Sequence, residues 1–154
     1  MLGQKQPASC GAWIYIDAFE VVTSSATRIE ENDPRVTRGL DQYSWGGGSD
    51  SRASGGALIT SATAGVTLNL PFSGTGISVI GIQDSCSGQA QVNIDGIVQT
   101  FDAFRGDGTG GWQRTLYTVA GLPAGSHELT LTVLGTNQPA SCAAWIYIDA
   151  FDIF

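Results

Sequence analysis

The chain is poor in cations and in the residues that most enzymes use for proton transfer. It contains 7 lysines and arginines against 14 aspartates and glutamates, one histidine and three cysteines in 154 residues. A net charge of −7 provides no electrostatic footprint for nucleic acid or an anionic membrane surface. Neutral polysaccharides and divalent cations are left as the compatible partners. A single histidine, His127, excludes any multi-histidine metal centre, and its place in phase with Leu129 and Leu131 argues against its serving as the base of a Ser-His-Asp triad. No stretch reaches the roughly 20 apolar residues of a membrane span, so membrane insertion is not expected. The first residues lack the charged-then-apolar pattern of an export signal, which would then lie upstream.

What is present is glycine, at 21 positions, with serine, threonine and short apolar runs. That combination suits an all-β sandwich or barrel. Val66, Leu68, Leu70 and Phe72 alternate with polar or exposed positions, as do Ala90, Val92 and Ile94, and His127, Leu129, Leu131 and Val133. Alternation of this kind gives a strand one buried and one wet face. Ile77–Ile82 and Trp145–Phe154 are apolar on both sides, as interior strands are. Asp95-Gly96 between two such runs predicts a tight hairpin. Eight or nine strands and no helical period predict two packed antiparallel sheets, a β-sandwich of jelly-roll type, with an immunoglobulin-like sandwich second.

One segment occurs twice. Residues 6–19 read QPASCGAWIYIDAF and residues 138–151 read QPASCAAWIYIDAF. Near-identical segments at both ends, with unrelated sequence between, are what a tandem array cut partway through a unit would leave. Residues 1–22 are then the terminal strand of a preceding unit, and 23–154 a complete module. Cys10 and Cys142 occupy equivalent positions, so a unit holds two cysteines, Cys86 and Cys142. An even pair suggests one disulfide and an oxidising, extracellular or cell-surface setting; the alternative is two unpaired small hydrophobes, and Cys10 lacks a partner of its own.

The order IEENDP, SGG, TLNLPFSGTGISVIG, AQVNIDG, GLPAGSHELTLTVLGT and YIDAFDIF resembles the galactose-binding-like jelly-roll modules of secreted bacterial multidomain proteins. These are similar to carbohydrate-binding modules attached to glycoside hydrolases. The resemblance covers about residues 27–154 and implies a fold more firmly than a ligand. It also implies a structural calcium between the first and last strands, for which the matching acids are Glu30 or Glu31 and Asp149.

Catalysis is not expected. His127 falls in phase with Leu129 and Leu131, where a packed, hydrogen-bonded histidine is the ordinary outcome. Asp84, Asp102 and Asp107 sit in Gly/Ser loops without the apolar surroundings that raise a carboxyl pKa. GTGISVIG opens a strand and lacks the lysine of a phosphate loop, and Arg105-Gly106-Asp107 is a tripeptide common by chance. A glycan site needs exposed rings to stack on pyranose faces and polar groups for the hydroxyls. The expected set is Tyr43 and Trp45 in the long loop 40–56, Asp84 in the loop of Cys86, and Trp112 with Gln113 and Arg114. The rival expectation is a structural or adhesive filament subunit. Its spare strand, residues 12–21, would pair with a neighbouring copy by strand exchange.

Overall fold

The computed structural model describes residues 25–39 and 42–154, which hold nine strands. They are β1 (Thr27–Glu30), β2 (Thr37–Arg38), β3 (Gly46–Ser49), β4 (Ala57–Ser61), β5 (Thr67–Gln83), β6 (Gln89–Ile94), β7 (Ile97–Asp102), β8 (Gly111–Val133) and β9 (Ile146–Ile153). Every pairing between them is antiparallel. The hydrogen-bonded order is β3-β4-β9-β5-β8-β6-β7, with β1 on β9 and β2 on β5.

Two long strands make the sandwich from this single ladder. β5 and β8 pair from Thr67↔Thr132 to Gln83↔Gly111, and the register slips between Gly74 and Gly76. The sequence pattern reads each of them as two strands with a turn between. In the fold the break is a bend, which carries both chains from one layer into the other. The first layer holds β2, the start of β5, the end of β8, β6 and β7. The second holds the start of β8, the end of β5, β9, β4, β3 and β1. Side chains from both meet in one core: Leu68, Leu70, Val92, Leu129 and Leu131 from the first, Ile29, Ile77, Val79, Ile148 and Phe151 from the second. The all-β jelly-roll expectation holds. The predicted hairpin is present too, with Asp95 and Gly96 at φ 52° and 91°, the positive pair that a type I′ turn requires.

Ile97 and Val98 of this hairpin are exposed on the outermost strand. His127 is packed as expected, its side chain 7% exposed. Both ring nitrogens face oxygens: Nδ1 lies 2.5 Å from Asp95 Oδ2 and Nε2 2.8 Å from the Pro123 carbonyl. The repeat segment at residues 1–22, with strand 12–21 and Cys10, lies outside the described residues.

Candidate functional site

The expected disulfide is formed: Cys86 and Cys142 are bonded, their Cα atoms 4.6 Å apart. Backbone hydrogen bonds run beside it, from Cys142 N–H to the Ser85 carbonyl and from Trp145 N–H to the Cys86 carbonyl. Ser141 Oγ–H adds donation to the Ser85 and Ser87 carbonyls. Loop 84–88 is therefore sewn to loop 141–145 at one end of the sandwich. Within the loop, Asp84 Oδ1 accepts from Cys86 N–H and Ser87 Oγ–H, which fixes the turn. Arg105 N–H donates to the Asp84 carbonyl, docking the glycine-rich loop 105–110 alongside.

Between these loops and the β3–β4 hairpin lies a hollow of about 670 Å³, within the ordinary size of a small-ligand site. Leu58, Ile82, Trp112 and Tyr147 form its apolar wall; Asp50, Gln83, Asp84, Ser85 and Arg105 bring polar groups to the rim. Trp112 and Tyr147 are held by a small apolar cluster of Ala53, Leu58 and Ile82. The Arg52 guanidinium lies 4.2 Å from the Trp112 ring centroid, a cation–π contact that fixes the indole plane. Arg52 is itself clamped by Asp50, whose carboxyl this contact holds at about 2. Burial pushes the Tyr147 phenol up, and the negative charge of Asp84 adds to the effect. The Arg105 side chain makes no hydrogen bond among the described residues.

Of the six residues expected at a ligand site, the structure brings two, Asp84 and Trp112, to this hollow. Trp45 is a correction. It is 4% exposed and belongs to the main core, and its Nε1–H donates to the Thr67 carbonyl, so it offers no ring face to a ligand. Tyr43 is 90% exposed but does not line the hollow. Gln113 and Arg114 are turned elsewhere. Gln113 Nε2–H donates to the Arg52 carbonyl, its Oε1 faces Arg28, and Arg114 Nη2–H donates to the Thr109 carbonyl. Tyr147, Ile82, Leu58 and Arg105 were not expected. Tyr147 is indistinguishable by sequence from its interior-strand neighbours, whereas Arg105, a lone cation in a glycine-rich loop, was visible and set aside.

A second constellation joins β1 to β9. Glu30, Glu31 and Asp149 each bring a carboxylate oxygen within 4.8 Å of the others. Glu31 is 4% exposed and Asp149 fully buried. Glu30 Oε2, Glu31 Oε2 and both oxygens of Asp149 are buried without a hydrogen-bond partner. Burial raises the carboxyls of Glu31 and Asp149, and the neighbouring negative charges raise them further. Glu30 Oε1 accepts from Ser54 Oγ–H. Arg28, bidentate on Asp152 at 2.7 Å for both bonds, offsets part of the charge on Asp149, and Arg38 part of that on Glu31.

No family model and no curated protein matches the chain. Solved structures do share its fold. A two-domain esterase active on acetylated mannans, co-crystallised with mannopentaose, matches 84% of this chain at TM-score 0.59 and 15% identity, and 36% of its own length. An exo-β-1,3-galactanase from Phanerochaete chrysosporium, solved with β-1,3-galactotriose, matches 85% at 0.55 and 21%, and 30% of its own length. A Paenibacillus xanthan lyase matches 77% at 0.55 and 17%, and 12% of its own length. The chain thus spans well under half of each of these proteins, and the fold is what is shared. One expectation is corrected here. Catalysis was excluded on the lone histidine and the loop carboxylates, but the proteins with this fold are a lyase, a galactanase and esterases, so that exclusion does not stand.

Proposed function

We propose that the protein is an extracellular carbohydrate-binding module whose ligand sits in the hollow walled by Trp112 and Tyr147. The observation that carries this is one wall of aromatic and aliphatic side chains facing a rim with a guanidinium, Arg105, and a carboxylate oxygen, Asp84 Oδ2, neither hydrogen-bonded among the described residues. A sugar needs both: its C–H face is apolar, and its hydroxyls donate to a carboxylate and accept from a guanidinium. The disulfide suits an oxidising compartment. The glycans named for the proteins of the same fold supply the first probes. Titration calorimetry with galactose, β-1,3-galactotriose and mannopentaose, repeated on Trp112→Ala, tests the reading. Saturable binding to one of them, weakened at least tenfold in the variant, is expected; absence of binding, or binding indifferent to Trp112, would reject it.

We further propose that Glu30, Glu31 and Asp149 hold a calcium ion. Four buried carboxylate oxygens without donors fit a hard cation that takes six to eight oxygens, with backbone carbonyls completing the shell. The ion would tie the first strand to the last and neutralise the cluster.

A second reading, assembly by strand exchange into a filament, is favoured by the repeat. β9 gives Tyr147 to the hollow and Asp149 to the acidic cluster, and follows Cys142. The segment at residues 6–19 carries Cys10, Tyr15 and Asp17 in the same order and spacing. It therefore has the composition of a closing strand for a neighbouring copy. Analytical ultracentrifugation should show concentration-dependent oligomers that vanish when residues 1–22 are removed; a strict monomer at all concentrations would dismiss it.

A further inference from the structure

A second hollow, of about 550 Å³, adjoins the first. It is lined by Phe104, Asp107, Ala140 and three residues of the first hollow, Ser85, Arg105 and Gly106. We propose that the two hollows are subsites of one cleft, which takes a glycan chain of at least two residues, with Phe104 as the platform of the second subsite and Arg105 at the junction. This rests on the glycan reading of the first hollow and adds chain length to it.

Three observations support the cleft. Each hollow alone has the volume of a small-ligand site, so together they exceed what one monosaccharide fills, and Ser85, Arg105 and Gly106 border both. Phe104 is half-buried and held in place by its backbone: it bridges to Asp84, and its N–H donates to Asp102 Oδ1. The main chain thus holds Phe104 at the edge of the second hollow. Gly106 is what leaves it there, because a Cβ at that position would lie 2.6 Å from Phe104 Cζ. Any other residue would displace the ring or cover it. At the junction the Arg105 guanidinium has no hydrogen-bond partner of its own among the described residues, while its backbone is pinned to Asp84. An exposed donor fork bordering both hollows, its charge shared with nearby Asp107, matches the oxygen-rich linkage region between two sugars, where acceptors from both residues converge.

The second hollow is also lined by Ala140, an exposed residue of the loop tied down by Cys142. Chain recognition therefore depends on the disulfide more directly than recognition in the first hollow does.

The test compares affinities by calorimetry for galactose against β-1,3-galactotriose, and for mannose against mannopentaose. The oligosaccharide of the bound series should bind at least tenfold more tightly than its monosaccharide. In Phe104→Ala and in Ala140→Leu, which narrows the second hollow from an exposed loop position without touching the core, that ratio should fall toward one. Trp112→Ala should instead weaken both members of the series. Equal affinities in the unaltered protein, or a ratio that survives both second-hollow variants, would overturn the two-subsite cleft while leaving a one-sugar site intact. Failure of every saccharide to bind would overturn the glycan reading itself, and this inference with it.

Discussion

Stripping divalent cations from the protein should lower its melting temperature by about 10 °C, and Asp149→Asn should abolish the response. Three carboxylates meet within 4.8 Å, two of them almost wholly buried. At that separation and an effective dielectric of about 20, each ionised pair repels by roughly 3.5 kcal/mol, so three pairs amount to about 10 kcal/mol. That is comparable with the entire stability of an ordinary domain, about 5–15 kcal/mol. Charge of that size calls for compensation beyond that from Arg28 and Arg38, which a bound cation or protons would supply. A cation at a hundredfold excess over its dissociation constant contributes about 2.7 kcal/mol, and a domain of this size shifts by roughly 4 °C per kcal/mol. The assay is scanning calorimetry at neutral pH after chelator dialysis, followed by re-addition of calcium or magnesium. Calcium should restore the transition better than magnesium, because flexible carboxylates on two strands suit its larger, less regular shell. An unchanged melt after chelation, with no metal found by mass spectrometry before it, would refute the cation argument. Equal calcium responses in wild type and Asp149→Asn would refute the placement.

Three further outcomes are expected. His127 has its pKa raised, first by the Asp95 contact and then by the Pro123 carbonyl; a raised folded value gives stability that is whole below the ordinary 6.5 or so and is lost as pH climbs through the folded value. Melting temperature should therefore decline on the alkaline side of 6.5, and Asp95→Asn should flatten that decline. Replacing Cys86 and Cys142 by serine, which opens a loop with a sequence separation of 56, should cost about 4 kcal/mol on the chain-entropy estimate, visible in urea denaturation; a loss under 1 kcal/mol would mean the flanking hydrogen bonds hold the loops unaided. Trp45→Ala should cost about 3–5 kcal/mol as a core truncation without altering glycan affinity, and lost binding at unchanged stability would restore Trp45 to the ligand site.

Most of the fold was legible because the pattern that specifies it is local. Alternation in 66–72, 90–94 and 127–133 marks three strands and their buried faces, and Asp95-Gly96 marks their hairpin. What escaped was made by backbone alone. β3 is Gly46–Ser49, exposed along its length, and it pairs with β4 through main-chain groups that no side-chain pattern reports. The same loop hid Trp45, since an aromatic flanked by serine and glycines reads as exposed until the Thr67 carbonyl appears as its partner. The acidic cluster was found through its resemblance to other jelly rolls, and its buried, donorless oxygens became visible only in three dimensions. The hollow was half legible: Trp112 and Asp84 stand out in loops, whereas Tyr147 is one aromatic among several in an apolar strand, and only the register of β9 points it at Asp84.

The position of β9 has a consequence for synthesis. It is the last strand of the module in sequence, yet it lies between β4 and β5 and also receives β1. Ribosomes extend chains at roughly 5–20 residues per second, and until β9 emerges β4 and β5 both present open edges, with Ile29, Ile59, Ile77 and Val79 lacking their neighbours. Among the described residues no strand before β9 lies between β4 and β5, so until β9 is made the second layer stays open there. A chain cut before residue 146 would leave the edges of β4 and β5 unpaired, and open strand edges invite aggregation. Closure of the second layer therefore follows the synthesis of β9, the strand on which β1, β4 and β5 all pair.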